Sequence, residues 1–183
     1  LYIGTYILLS LLTLIPYFLF MFYKNEKTLN QKKSFSKNSI WSLLLNKHIQ
    51  QAITSAGIGY MTMSLLMTAT PISMHIFDGI SLYDTGIVIQ LHVVGMFLPS
   101  LFTGDLIKKF GHTKLIYAGV IIFLLSIFIN YIHQSYYNYL FGLILLGIGW
   151  NFTYITGTSL LVVSYDERDK FKAQGLNDFI VFS

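Results

Sequence analysis

The sequence has no cysteine and few charges: 0 of its 183 residues are Cys and 11% are Asp, Glu, Lys or Arg. The first absence excludes a disulfide framework and thiol chemistry. The second departs from soluble domains, in which charged residues make up about a quarter of the chain. With 54% hydrophobic residues and a mean hydropathy of +0.61, the expected solvent is a bilayer. Catalytic signatures are missing as well. There is no H-E-x-x-H, no G-x-S-x-G, no phosphate-binding glycine loop and no pair of intramembrane carboxylates. His75 and Asp78 stand three apart with no third ligand near them in the sequence, which argues against a metal site. An enzyme is disfavoured, and no cofactor is implied.

Cations are absent from alternate gaps between the apolar runs. The 12 Lys and Arg residues fall into three groups: Lys24, Lys27, Lys32, Lys33, Lys37 and Lys47; Lys108, Lys109 and Lys114; Arg168, Lys170 and Lys172. The gaps at 75–84 and 133–137 carry none. Short loops rich in Lys and Arg resist translocation, so the three basic gaps are predicted to face the cytoplasm and the other two the outside. The net charge of +4 is then topological, with anionic lipid headgroups as its neighbours. No basic stripe is interleaved with stacking aromatics, so a nucleic-acid partner is not expected.

Five complete spans can be drawn, at 1–23, 49–74, 86–107, 114–132 and 136–163, and a sixth begins near Gly175. Even the 19 residues of the fourth reach about 28 Å as a helix, enough for the hydrocarbon core. The alternating polarity of barrel strands is missing, so the fold class is all-α, a polytopic transmembrane helical bundle. The first run is too long for a signal-peptide core and the last stops after eight residues, so the chain reads as truncated at both ends. Between the first two spans, 24–48 reads as a flexible basic linker containing QKKSFSKNS. At its end, residues 41–45 form a short amphipathic approach that places Trp41 at the interface. Tyr131, Tyr136, Tyr137 and Tyr139 are predicted to form an aromatic belt at the outer face.

The spans differ chemically. The first and fourth are almost wholly apolar and should face lipid. The second carries Thr54, Ser55, Tyr60, Thr62, Ser64, Thr68 and Thr70, and the fifth Trp150, Asn151, Thr153, Tyr154, Thr156 and Thr158. Polar groups in hydrocarbon need partners or water, so these two should turn toward a bundle interior or an aqueous cavity. Pro71 and Pro99 should kink or end their spans.

The basic hairpin reads G-D-L-I-K-K-F-G-H-T-K from Gly104 to Lys114. Its glycines allow a tight turn and its cations can cap helix carbonyls or hold headgroups. The spacing also resembles the cytoplasmic signature of the major facilitator superfamily, G-x-L-x-D-R-x-G-R-[RK]. Gly104, Leu106, Lys109 and Gly111 match it, whereas Lys108, His112 and Thr113 replace an acidic and two basic residues. The runs I-Q-L-H-V-V-G-M-F-L-P-S-L-F-T-G from Ile89, T-A-T-P from Thr68, G-W-N-F from Gly149 and Q-G-L-N-D-F from Gln174 look like a bacterial subgroup similar to riboflavin-type uptake proteins. The resemblance implies a first span equivalent to the sixth family helix (1–23), the central linker (24–48), and a C-terminal six-helix half (49–183) that stops at the start of the eleventh helix. It further implies alternating access, with the seventh and tenth helices lining the central cavity.

Candidate site residues follow from both readings. Asn151, Tyr154 and Thr158 are spaced to share one helical face, with Trp150 beside them. An amide, a phenol and an indole suit a polar aromatic or heterocyclic ligand, although interhelical hydrogen bonding uses the same groups. Tyr60, Ser64 and Gln90 complete the expected substrate set. His92, deep in the third span, either exchanges the coupling proton or bonds a neighbouring helix. Asp178 either relays protons or partners a helix N-terminus. The expected function is therefore a secondary transporter of a small organic solute, with proton coupling an open component, in the inner (plasma) membrane. Its partners would be the bilayer, the solute and the remaining transporter half. A non-transport membrane assembly or signalling subunit is the rival.

Overall fold

The structure, a computed structural model, describes residues 3–22 and 39–183. The chain divides into two units, 1–35 and 36–183. All of the QKKSFSKNS stretch but Ser39, and most of the expected linker, lie outside the described residues.

In the first unit, α1 runs Ile3–Phe22. Its large apolar side chains are exposed, from Ile3 at 74% to Phe22 at 86%. The hydroxyls of Ser10 and Thr13 donate to the carbonyls of Tyr6 and Ser10, both at 2.8 Å, so these two polar groups are satisfied within the helix.

In the second unit, short polar caps set the helix starts. Ser39 caps α2 (Ile40–Leu44) and Asn46 caps α3 (Lys47–Ile72), its carboxamide oxygen accepting from the amides of His48 and Ile49. Ser81 and Asp84 open α4 (Leu82–Phe97) reciprocally: the Ser81 hydroxyl accepts from the Asp84 amide and donates to its carboxylate at 2.7 Å. Pro99 separates α4 from α5 (Ser100–Phe110), as expected of a residue without an amide proton. Pro71 does not end its helix. Instead α3 widens two residues later into a π turn, Ser73–Phe77.

Gly111, at φ +83°, makes the reversal between α5 and α6 (His112–Ile132). Ser135 caps α7 (Tyr136–Trp150), which passes through a second π turn, Asn151–Ile155, into α8 (Thr156–Ser164). A 3₁₀ turn at Glu167–Asp169 leads to α9 (Lys170–Phe182). The sixth run thus begins five residues before Gly175, because the 3₁₀ turn nucleates a helix whose first residues are polar.

Among the described residues, four helical stretches are long and apolar enough to cross a membrane: Lys47–Phe77, Leu82–Phe110, His112–Ile132 and Tyr136–Ser164. Their basic ends meet at one end of the bundle. There the Thr113 hydroxyl donates to Gln51, and His112 Nε2 lies 3.3 Å from Ser159 Oγ. Leu43 of α2 is buried in the same end with Ile49, Ile116, Leu160 and Ala173, while Trp41 stays 76% exposed. At the opposite end Tyr139 donates to Asp78 at 2.6 Å and lies 2.8 Å from Ser73 Oγ. Tyr139 is only 5% exposed, so it leaves the expected aromatic belt and joins two helices, whereas Tyr131 and Tyr137 remain outside at 87% and 67%.

Candidate functional site

Two helix contacts place every candidate residue. The first is the seam between α4 and α7. Gly95 and Gly147 bring the two backbones together, since a Cβ on Gly147 would stand 2.5 Å from the His92 carbonyl oxygen and 2.8 Å from the Met96 amide. His92 is fully buried in this seam, its Nδ1 2.8 Å from the Leu143 carbonyl and its Nε2 without a partner. Asn151 closes the seam one α turn beyond Gly147, where the π turn begins. Its Nδ2 donates to the Met96 carbonyl at 2.7 Å and to Ser100 Oγ at 2.5 Å. The Thr103 hydroxyl shares its proton between Asn151 Oδ1 at 2.6 Å and the Pro99 carbonyl at 2.8 Å. The Pro99 carbonyl also accepts the amides of Phe102 and Thr103, both at 2.9 Å, so the helix restarts directly after the break.

The second contact is between α3 and the π turn Asn151–Ile155. Ser55 donates to the Thr153 carbonyl at 2.8 Å, and Gly59 and Gly119 both leave room for the Thr153 side chain. A π turn advances through more residues than an α turn, so the α-helical spacing that aligned Asn151 with Tyr154 does not hold across it. Asn151 faces α4 and α5, whereas Tyr154 faces α3. The ring of Tyr154 stacks on Trp150, with centroids 4.8 Å apart and planes 13° apart. Tyr60 lies 6.3 Å from Tyr154 and takes the edge of Phe182 at 4.9 Å. Asp178 sits in the interior of α9 rather than at its start, exposed and within electrostatic range of Tyr154.

The structure thus brings Tyr60, Trp150, Tyr154 and Asp178 into one neighbourhood. Ser64 lies one turn from Tyr60, and both line a groove of about 830 Å³ along α3 and the end of α9, together with Gly57, Met61, Thr68 and Phe182. Thr158 is half-buried one turn beyond Tyr154, its hydroxyl donating to the Ile155 carbonyl. Gln90 is exposed on α4, away from the buried His92 face. Trp150, 7% exposed, backs Tyr154 and takes Phe97 on its other side, and its Nε1 is buried without an acceptor. Aromatic rings in offset or edge contact contribute about 0.5–1.5 kcal/mol each beyond area burial, so this cluster is a firm platform for Tyr154.

In the hairpin, Gly111 carries the turn and Gly104 sits inside α5 with open space around it. Lys109 lies over the Phe110 ring at 5.2 Å and Leu106 is half-buried. Lys108 pairs with Asp105 at 3.3 Å, but both are about four-fifths exposed, so the pair adds little stability. Thr153 and Tyr139 were not singled out as contact-makers from the sequence. The small residues Gly59 and Gly119, which face Thr153, were the available signal for the first.

Comparison with known proteins fits this architecture. The model of the Major Facilitator Superfamily matches residues 2–183. The chain is 40% identical over 129 residues to a riboflavin transporter of Brucella anthropi, covering 70% of this chain and 32% of that protein. It is 33% identical over 159 residues to an uncharacterized MFS-type transporter of Bacillus subtilis, covering 83% and 36% respectively. The chain therefore spans about a third of the length of these curated relatives. No solved structure matches it. An all-helical bundle, a hairpin with the family spacing and a family match over nearly every residue lead to one conclusion: the chain belongs to the major facilitator superfamily.

Proposed function

We propose that this chain supplies the sixth helix, the central linker and most of the C-terminal half of a secondary transporter in the inner (plasma) membrane. The complete protein moves a small organic solute by alternating access of two helical bundles. The observation that carries this reading is the Trp150–Tyr154 stack at a π turn, with Tyr154 6.3 Å from Tyr60, which lines the 830 Å³ groove. π turns interrupt helices mostly where function needs a side chain re-aimed, and here the turn releases Tyr154 from the seam that holds Asn151. A half-exposed phenol on an indole, with a second phenol and a carboxylate near, suits a planar polar heterocycle. Riboflavin, the solute named for the Brucella anthropi relative, is of that chemistry and is the first substrate to test. Tyr60, Ser64, Tyr154 and Thr158 are assigned to the solute side, with Trp150 as backing. Gln90 is assigned to the exposed face of α4, and Asn151 acts indirectly, by holding α4 and α5 to the π turn.

Coupling is assigned to Asp178, an exposed carboxylate on a predicted membrane helix beside Tyr154, with His92 as the alternative that the same assay reads. The decisive experiment expresses the complete transporter in cells lacking riboflavin uptake and follows labelled riboflavin with and without an inward pH gradient. Uptake that rises with the gradient supports both assignments. Absence of uptake together with absence of riboflavin binding to the purified protein overturns the substrate. Transport of no solute at all would leave the rival, a membrane assembly subunit, in its place.

A further inference from the structure

A second cleft opens at the end of the bundle opposite the basic hairpin, between α3, α6 and α7. Its volume is about 330 Å³, within the usual range of small-molecule sites. Besides Tyr131, six of its lining side chains can hydrogen-bond: Thr70, Ser73, Ser126, Asn130, Gln134 and Tyr139. None of its lining residues is ionisable at neutral pH, the remainder being apolar apart from Tyr131 at the rim.

The bonding of these groups leaves capacity unused. Thr70 is 7% exposed, and no hydrogen bond of its hydroxyl occurs among the described residues, whereas Thr54 and Thr68 on the same helix each donate to a carbonyl one turn back. Asn130 Nδ2 donates to the Ser126 carbonyl at 2.9 Å, its side chain resting on Gly142, while its Oδ1 is buried with no donor. Ser126 donates to the Gly142 carbonyl at 2.6 Å. A buried acceptor without a donor costs about 1–3 kcal/mol, and such groups are found mostly where something else completes them. Tyr139, tied to Asp78 and Ser73, forms the fixed end of the cleft. Asn130 stands two residues from the end of α6, and Tyr139 in the first turn of α7. The cleft therefore lies at headgroup depth.

We propose that this cleft is a second binding site, separate from the solute groove, for an uncharged group carrying several hydroxyls. Absence of charge in the wall keeps phosphates and amines out of the cleft, where they would be desolvated without a counter-charge, so a lipid would insert only its terminal hydroxyls and leave its phosphate in the headgroup layer. A polyol can donate to Asn130 Oδ1 and to Ser73 Oγ, whose own proton goes to Tyr139, and accept from Thr70 and Gln134, with its carbon skeleton against Leu66, Ile127 and Leu143. Such a group is found on a glycerol-headed lipid in the outer leaflet or on a free sugar alcohol. An occupant touching α3, α6 and α7 at once would brace the outer ends of three helices.

The test uses the complete, purified transporter and two substitutions: Thr70→Val, which keeps shape and removes the hydroxyl, and Gln134→Ala at the exposed rim, where folding is not at stake. Retained phosphatidylglycerol and phosphatidylethanolamine are counted by native mass spectrometry, and mannitol is titrated against the melting temperature. Preferential retention of phosphatidylglycerol, reduced at least fivefold by both substitutions, assigns a lipid headgroup. A mannitol-induced rise in melting temperature, lost in both variants, assigns a free polyol. Equal retention of the two lipids and no mannitol shift, each unaltered by either substitution, overturns the site.

Discussion

The seam between α4 and α7 and the face between α3, the second π turn and α9 are built from similar residues and behave oppositely. Both contain glycine and polar side chains at membrane depth. In the seam, backbones touch and polar groups are spent on one another: Asn151 reaches Met96 and Ser100 and accepts from Thr103, and His92 bonds the Leu143 carbonyl. At the other face Ser55 and Gly59 hold the turn through Thr153, while Tyr60 and Tyr154 stay half-exposed and Asp178 is open. Without a hydrophobic drive between helices in lipid, close packing and internal hydrogen bonds are what hold them. A membrane protein that must also bind a solute has to leave some polar groups out of that role. The comparison teaches that burial and partner count, rather than residue type, separate the two uses.

The largest expected effect breaks the seam. Gly147→Leu would drive a side chain into the backbone of α4, where a Cβ already stands 2.5–2.9 Å from the His92 carbonyl, the Met96 amide and Gly95. Overpacking against backbone that cannot retreat should cost about 3 kcal/mol or more. The expected result is little monodisperse protein on size-exclusion chromatography. Gly104→Ala, with nothing near its Cβ, should elute as wild type. A well-behaved Gly147→Leu protein would show that α4 and α7 are not locked.

Next is Asn151→Ala, which strips partners from Ser100, Thr103 and the Met96 carbonyl. A loss of about 1–3 kcal/mol per orphaned group should lower the melting temperature before it changes solute affinity. A normal melting curve with impaired transport would move Asn151 from the seam to the solute.

Tyr154→Ala should do the reverse. Removing a stacked ring from the platform should weaken solute binding by about 0.5–1.5 kcal/mol, up to roughly tenfold, with stability near normal. Fluorescence titration of riboflavin against the purified protein reads the first and thermal melting the second. Unaltered affinity would return Tyr154 to plain packing.

The smallest and most selective effects concern coupling. Asp178→Asn should preserve solute exchange and lose accumulation driven by an inward pH gradient, because exchange needs binding and rocking but no net proton movement. His92→Gln, which can still donate to the Leu143 carbonyl, should reduce both assays modestly and equally. Selective loss of driven uptake in His92→Gln alone would place the proton in the seam and erase the distinction drawn between the two regions.

The helices themselves were legible because their signals are local. Apolar length and the alternation of basic gaps needed no knowledge of neighbours. The polar character of the second and fifth spans was equally plain, and α3 and α8 do pack together. What failed was geometry finer than a turn. The shared face of Asn151, Tyr154 and Thr158 assumed a regular helix, and the π turn at 151–155 re-aimed it. Tyr139 looked like its belt neighbours Tyr136 and Tyr137, and only the position of Asp78 across the bundle turns it inward.

Sequence alone determined that this is an all-helical membrane protein of a recognisable family, because hydropathy and charge alternation act over a few residues and are blind to packing. Tertiary structure decided which polar groups are consumed in holding helices together and which are left free for a ligand. That choice depends on whether a carbonyl or amide from another helix, tens of residues away, comes within about 3 Å, a distance that residue type and spacing do not encode.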